Sequence, residues 1–478
     1  MRGAEAVLAC LREQDVDTVF GYPGGMILPL YDALYGQTEI RQILVTHEQN
    51  AAHAADGYAR ATGRVGVCIA TSGPGATNLV TGIATAYMDS IPMVAITGQV
   101  DLSMLGRDAF QETDILDVTM PVTKHNYKIK NAADLVPTIR EAFALARSGR
   151  PGPVLIDVPR NLFLEEVAYT EQKRAEHQPG KPDADFIICA AEAAAEIVNA
   201  ERPLVIVGGG VISARATAET VAFIEKYQLP VVHTLMGMGA VPSTHPQMLG
   251  FIGMHGAKAA NCAVGAADLV IALGSRFADR LTGNLSKFTA NRRFIHIDID
   301  PAEIDKIVGS SIGLAGDMRV VLNLLMRKEP KRDHTAWWQQ IHTWQEEFED
   351  DYHVDSLTVP WALHQVARMT AGKPYAYVTD VGQHQMWAAL HLHVEEPRTW
   401  LTSGGLGTMG YGLPAAMGAQ AAWGDERRVI HITGDGSLKM TGNEFYTIAR
   451  LGLPVITILS NNRSLGMIRQ LQKVLYKE

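Results

Sequence analysis

Short apolar runs recur along this chain and alternate with segments of helical spacing. Between residues 4 and 164 the runs are Thr18–Gly21, Ile43–Thr46, Val65–Thr71, Met93–Thr97 and Pro153–Val158. Such alternation predicts a parallel sheet covered by helices on both faces. The polar stretch Glu165–Asp185 reads as a linker. A second set of runs opens at Pro203–Val207 with Gly208-Gly209-Gly210 behind it, takes in Leu269–Leu273 and Phe294–Asp298, and fades near Met326. A charged, Trp-bearing segment, Arg327–Asp355, connects to a third set. That set starts with a helix around Trp361–Thr370 and holds the strands Val429–Thr433 and Pro454–Leu459, with helical spacing from Glu444 to Leu451. The expectation is an α/β protein of three doubly wound parallel-sheet domains, over residues 1–164, 186–326 and 356–478. The sequence stops at Glu478, soon after its last strand, so an incomplete C-terminal part is also expected.

Composition agrees with large cores: 47% of the 478 residues are hydrophobic and 19% charged. The net charge of −9 comes without a basic run, which argues against nucleic acid and anionic membranes as partners. Cys10, Cys68, Cys189 and Cys262 have no metal-ligand spacing and read as reduced thiols of a cytoplasmic protein. The N-terminus lacks the build of a signal peptide, and no apolar stretch is long enough to span a membrane.

Gly434-Asp435-Gly436 ends one of the C-terminal strands, and Asn461-Asn462 ends the next. Two parallel strands joined by a helix put Asp435 and Asn462 side by side at the carboxyl edge of a sheet, where α/β proteins bind ligands. A carboxylate and an amide oxygen suit a hard cation such as Mg²⁺, which takes its remaining ligands from phosphate and water. Alone, Gly-Asp-Gly would be read as a turn with solvated caps. The Asn pair 27 residues further on reverses that weighting. The arrangement resembles the thiamine-diphosphate-binding motif. The resemblance implies Mg²⁺ held by Asp435, Asn462 and the Ser464 carbonyl.

His47-Glu48-Gln49-Asn50 lies where a strand gives way to a helix, Ala51–Ala61. An acid there is ordinarily a first-turn residue favoured by the helix dipole. With thiamine diphosphate in view, Glu48 becomes the acid that hydrogen-bonds the pyrimidine ring. Further blocks, in order along all three units, are similar to acetohydroxyacid (acetolactate) synthase catalytic subunits. They include Gly21-Tyr22-Pro23-Gly24-Gly25, Thr71-Ser72-Gly73-Pro74-Gly75-Ala76-Thr77-Asn78, Asp108-Ala109-Phe110-Gln111-Glu112, Gly253-Met254-His255-Gly256, Asp380-Val381-Gly382-Gln383-His384 and Ser403-Gly404-Gly405-Leu406-Gly407-Thr408-Met409-Gly410.

The resemblance implies a pyrimidine-binding domain, a central FAD-binding domain and a diphosphate-binding domain. It implies a homodimer or homotetramer with active sites between chains, and a possible regulatory small subunit. The implied reaction decarboxylates pyruvate and passes its two-carbon unit to a second 2-keto acid, pyruvate or 2-ketobutyrate, for branched-chain amino-acid biosynthesis. Glu48, Gly25, Gln111, Lys124 and Phe110 would line the reacting centre, and Arg280 would pair with the second keto acid's carboxylate. Tyr22, Pro74, Asn78, Val381, Gly382, Gln383, His384, Gly407, Met409, Gly436, Ser437 and Met467 would bind thiamine diphosphate. Arg150, Gly208, Gly209, Gly210, Thr234, Leu235, Met254, His255, Gly274, Arg276, Asp298 and Asp317 would bind FAD, with a structural flavin.

Four positions depart from the family pattern. Leu471 stands where Trp is usual, Met26 where a small residue is common, Ala278 for Asp, and Arg160 for Lys. Losing the Trp predicts weak 2-ketobutyrate selectivity. Competing readings are another thiamine-diphosphate carboligase or decarboxylase, a pyruvate oxidase of the same fold, or an inactive truncated form.

Overall fold

Six strands near the start of the chain build one parallel sheet: β1 (Thr18–Gly21), β2 (Arg41–Leu44), β3 (Gly66–Ala70), β4 (Met93–Gln99), β5 (His125–Lys128) and β6 (Pro153–Pro159). Their order is β2-β1-β3-β4-β6-β5. The computed structural model describes residues 1–173, 180, 182–349 and 357–476. The middle of the expected linker and the last residues of the Arg327–Asp355 segment lie outside the described residues.

The central strands β3, β4 and β6 are buried along their whole length. One face packs on helices Gly3–Glu13 and Leu135–Arg147 through Val7, Leu11, Ile139 and Phe143. The other face is covered by Glu48–Thr62 and Val80–Asp89 through Ala51, Ala55 and Ile83. The doubly wound form expected from the apolar runs is therefore present.

A second parallel sheet contains β7 (Pro203–Val207), β8 (Val231–His233), β9 (Met248–Phe251), β10 (Leu269–Leu273), β11 (Arg293–Asp298) and β12 (Ile312–Ala315), in the order β12-β11-β10-β7-β8-β9. A third contains β13 (Tyr375–Thr379), β14 (Trp400–Leu401), β15 (Arg428–Gly434) and β16 (Ile456–Ser460), in the order β14-β13-β15-β16. The chain divides into two compact units, Met1–His177 with Pro374–Gln385 and Leu401–Glu478, and Gln178–Lys373 with Met386–Trp400. Within the first unit, helix Glu48–Thr62 crosses helix Gly412–Trp423 at small residues. A Cβ on Gly57 would run into the Ala415 carbonyl, and one on Gly418 into that of Ala54.

Several expectations shift. The second strand is Arg41–Leu44 rather than Ile43–Thr46: the Val45 amide makes a last bond to the Gly21 carbonyl at 3.2 Å, and the chain then turns towards Glu48. The segment Arg327–Asp355 is more than a connector: it forms helix Thr335–Glu347, which buries Trp337 and Ile341 in the second unit's core. The Trp337 indole donates to the Pro203 carbonyl at 3.0 Å. After Gly434 the chain enters helix Asp435–Thr441 directly, where a turn was expected.

Asp157, in the middle of β6, is fully buried and accepts from Thr97 Oγ1 at 2.7 Å and Gln99 Nε2 at 3.0 Å. Burial pushes its carboxyl up to about 7. In the unfolded chain an Asp loses its proton near pH 4, at about 3.9. The folded state therefore holds a proton that the unfolded state has released, and stability falls as pH rises through that window. Each unit between the two values corresponds to about 1.4 kcal/mol. Asp157→Asn should gain stability over the parent progressively as pH rises from about 4 to 7, then hold it. Urea unfolding of both proteins across that range measures this. A constant difference at all pH values would contradict it.

Candidate active site

Each sheet has a topological switch point, where consecutive strands part to opposite sides. Ligand clefts form there at the carboxyl ends of the strands. In the first sheet it lies between β1 and β3, in the second between β7 and β10, and in the third between β13 and β15. Many of the sequence-predicted residues follow the carboxyl ends of these sheets' strands, whereas Lys124 and Arg150 precede β5 and β6 and so lie at the opposite, amino edge of the first sheet.

In the first sheet, β1 runs out into Tyr22-Pro23-Gly24-Gly25 and β3 into Thr71-Ser72-Gly73-Pro74. A Cβ on Gly24 would strike the Thr71 side chain, whose Oγ1 accepts from the Met26 amide at 3.3 Å. Pro74 opens helix Pro74–Asn78. Gly73 sits at φ +59° against the backbone of Gln111, itself at φ +60°. Gly25 faces open space, Phe110 is 82% exposed and Tyr22 is 43% exposed.

Glu48 is the first residue of helix Glu48–Thr62, and His47 Nδ1 accepts from the Gln49 amide at 3.2 Å to cap that helix. The Glu48 side chain is buried, and Asn78 Nδ2 donates to its Oε2 at 2.9 Å. Thus Glu48, Asn78 and Gly75 form one group, a Cβ on Gly75 lying 3.3 Å from Glu48 Oε1. Lys124 Nζ donates to the Leu145 and Ser148 carbonyls at 2.6 and 2.7 Å, at the end of helix Leu135–Arg147. Arg150 Nε donates to Ser90 Oγ at 2.8 Å in this same unit.

In the third sheet the register pairs Gly434 with Ser460, so Asp435 and Asn462 leave adjacent parallel strands. Asn462 Oδ1 accepts from the Ser464 amide at 3.0 Å, and Asn462 Nδ2 lies 3.4 Å from Gln383 Oε1. Gln383 Nε2 also donates to Gln470 at 3.0 Å. Gly466 is confined, since a Cβ there would collide with Gln383 Oε1. A Cβ on Gly436 would meet Leu465 Cδ2 at 2.9 Å and Met409 Cε at 3.4 Å, so Met409 lies against the first turn of helix Asp435–Thr441. Ser437 Oγ donates to the Val381 carbonyl at 3.2 Å. Met467 follows on helix Gly466–Leu471.

His384 packs against Gly434 and Gly382. Burial pushes its imidazole down to about 4, opposed by Asp435 nearby. Its Nε2 is buried without a hydrogen-bond partner among the described residues. An orphaned polar atom beside glycines at a strand end and helix start fits a bound phosphate group. The Asp435 carboxylate and the Asn462 amide carry hard oxygens of the kind that suits Mg²⁺. No group of three or more His, Cys, Asp or Glu that could by itself hold a metal ion occurs among the described residues. One acid with an amide and a main-chain oxygen is a different kind of set.

Asp380 and Asp89 join the site although no sequence signal marks them as binding residues. Asp380, buried at the end of β13, accepts from the amides of Val381, Gly410 and Gly412 at 3.0, 2.8 and 3.2 Å. Burial raises its carboxyl, and the three amides oppose this. Asp89 accepts from the Gly404 and Gly405 amides at 3.1 and 2.7 Å, and Thr85 and Thr408 hydroxyls lie 2.7 Å apart. The loop bearing Gly407, at φ +70°, and Met409 is thereby fixed at both ends. Only the strand-end position of Asp380 was open to sequence reading.

In the second unit the candidate residues fall along one sheet edge. Gly208-Gly209-Gly210 follow β7, Thr234 and Leu235 follow β8, and Met254 and His255 follow β9. Gly274 and Arg276 follow β10, Asp298 closes β11, and Asp317 follows β12. Gly210 and Gly274 cross at backbone contact, with Gly274 at φ +58°. Thr234 Oγ1 accepts from the Gly237 amide at 3.1 Å, and Leu235 O from the Trp400 indole at 3.1 Å. Asp317 caps helix Met318–Leu325. Burial raises the Asp298 carboxyl and lowers the His255 imidazole, the latter helped by Arg280. Arg280 is exposed and paired with Asp279 at 2.7 Å.

Comparison with known proteins accounts for this arrangement. Residues 1–118 match the thiamine pyrophosphate enzyme N-terminal TPP binding domain, 190–325 the central domain, and 380–478 the C-terminal TPP binding domain. The fold and its motif turns are those of a thiamine pyrophosphate enzyme. The acetolactate synthase large subunit of Parasynechococcus marenigrum is 48% identical over 495 residues, covering 100% of this chain and 78% of that protein. That of Corynebacterium glutamicum is 47% identical, with 100% and 77% covered, and the Escherichia coli isozyme 3 large subunit 45%, with 100% and 85% covered. The chain belongs to the acetolactate synthase large-subunit family, thiamine-diphosphate-dependent acetohydroxyacid synthases. No helix of the described residues is long and apolar enough to cross a membrane.

Proposed function

We propose that this chain condenses pyruvate with a second 2-keto acid, pyruvate or 2-ketobutyrate, and so serves branched-chain amino-acid biosynthesis. The observation that carries the reading is the convergence of Asp435, Gly436, Asn462, Gln383, His384 and Met409 at the carboxyl edge of the third sheet. Thiamine diphosphate, when bound, supplies the electron sink for decarboxylation and for transfer of the two-carbon unit. Asp435, Asn462 and the Ser464 carbonyl would hold Mg²⁺ against its diphosphate. Val381, Gly382, Gln383, His384, Gly436, Ser437 and Met467 would line that end, while Gly407 and Met409 set the shape of the cleft. Glu48 would hold a proton at a pyrimidine ring nitrogen, with Tyr22, Pro74 and Asn78 beside it. Gly25, Gln111, Phe110 and Lys124 would enclose the reacting carbon, and Arg280 would bind the acceptor carboxylate.

The edge of the second sheet suits an extended dinucleotide, and FAD would lie along it from Gly208 to Asp317, with Arg150 as a further contact. The ranges 1–164, 186–326 and 356–478 would be the pyrimidine, FAD and diphosphate domains. The assembly would be a cytoplasmic homodimer or homotetramer with sites between chains. The words "large subunit" in the relatives' names support a regulatory small subunit as partner.

Leu471 ends helix Gly466–Leu471 and is 44% exposed. Without an aromatic wall there, mixed pyruvate and 2-ketobutyrate should yield the two acetohydroxyacids in nearly equal amounts. Leu471→Trp should raise the 2-ketobutyrate preference by about tenfold or more, the worth of one methylene in a formed pocket. Chromatographic product ratios measure this. A strong 2-ketobutyrate preference in the parent would contradict it.

A further inference from the structure

Glu444 is fully buried, and nothing in the proposed reaction uses it. It ends the short 3₁₀ turn Gly442–Glu444 that continues helix Asp435–Thr441, and it leads into helix Phe445–Arg450. One oxygen, Oε1, accepts from the Thr46 amide at 2.7 Å, from the Thr46 hydroxyl, and from Asn50 Nδ2 at 2.8 Å. Thr46 and Asn50 stand two residues before and two after Glu48. Thr447 and Arg450 repeat the helical spacing from Glu444. Thr447 Oγ1 and Arg450 Nη2 both donate to the Leu44 carbonyl, at 3.5 and 3.0 Å. One helical stripe thus grips the strand end, the turn and the first helical turn that carry the Glu48 carboxylate. The other Glu444 oxygen is buried without a partner among the described residues.

We propose that Glu444 is a positioning residue for Glu48. It fixes the main chain on both sides of Glu48, while Asn78 fixes its Oε2. A carboxylate that accepts three donors makes charge-assisted bonds, stronger than neutral ones. A general acid must sit within hydrogen-bond reach of its partner atom, and small displacements there cost rate more than binding. The proposal rests on Glu48 being the acid of the reaction, but the grip itself is a property of this chain alone.

Glu444→Gln keeps the reach and one acceptor oxygen, whereas Glu444→Asp keeps the charge and withdraws the oxygen by one methylene. Amide hydrogen–deuterium exchange over residues 44–50, on the protein without cofactor, reads the grip directly. Exchange there should rise about tenfold or more in Glu444→Asp, which withdraws the oxygen from its donors, and by a smaller factor in Glu444→Gln, which keeps the contacts without the charge. Acetolactate kcat should fall in the same order while KM for pyruvate stays within about twofold. Arg450→Met, at an exposed side chain, should raise the same exchange by a smaller factor and supplies the test should the Glu444 variants fail to fold. Unchanged exchange in Glu444→Asp, or equal kcat losses in Gln and Asp, would overturn the proposal. A parent that exchanges slowly at 44–50 but makes no acetolactate would sink the functional reading and leave the grip standing.

Discussion

Glu48→Gln is expected to lower acetolactate formation by about 10²–10⁴-fold, the range spanned by a positioned proton-transfer group. Gln has the shape of Glu, and its carbonyl oxygen still accepts from Asn78 Nδ2, which lies 2.9 Å from Glu48 Oε2. The His47 cap on the Gln49 amide and the packing of helix Glu48–Thr62 are untouched by the change. Only the ability to hold or release a proton is lost. Fluorescence titration should accordingly find thiamine diphosphate bound to the variant within a few-fold of the parent. A variant that turns over within about tenfold of the parent would remove Glu48 from the chemistry.

The second large effect concerns stability. Arg60 is buried between the fully covered carboxylates of Asp56 and Asp89, with its Nη2 2.8 Å from Asp89 Oδ2. The Tyr411 hydroxyl donates to Asp56 at 2.7 Å, and Asp89 holds the Gly404 and Gly405 amides. Burial opposes the Arg60 charge, and the two carboxylates outweigh it. Arg60→Met should destabilise the protein by about 3–5 kcal/mol, because two buried carboxylates lose their cation. Adding Asp56→Asn to that variant should recover part of the loss, since one orphaned charge disappears. Urea midpoints measure both. A stable single variant, or a double variant worse than the single, would contradict this account. Because Asp89 anchors the loop that carries Met409, weaker cofactor binding should accompany the instability.

The parts of the fold legible in the sequence are those buried on two faces. Runs such as Val205-Ile206-Val207 and Leu269–Leu273 have no polar alternative, and they form β7 and β10 where the hydropathy places them. Edge strands were harder to read. His125–Lys128 pairs only with β6 and has a polar sequence, so nothing local marks it. The short strands β8, β9 and β12 failed to stand out for a similar reason: their order comes from neighbours. Helix Thr335–Glu347 was hidden by its charged flanks, although Trp337, Ile341 and Trp344 share one helical face.

At the candidate site, the positions of residues carried by a local motif were legible: Asp435 and Asn462 follow their strand ends, and Glu48 opens the helix after a strand. Residues that act through distant partners were not. Glu444 grips a turn 398 residues earlier, and Asp89 a loop 315 residues later. No spacing in a single sequence encodes those meetings; they exist only once the sheets have packed.

The central claim is that this chain joins two 2-keto acids through thiamine diphosphate. The most direct test incubates the purified protein with pyruvate, thiamine diphosphate, Mg²⁺ and FAD, and follows both 2-acetolactate and CO₂. One acetolactate and one CO₂ should appear for every two pyruvates consumed, with no product when thiamine diphosphate is left out. CO₂ release with acetaldehyde or acetate in place of acetolactate would contradict it.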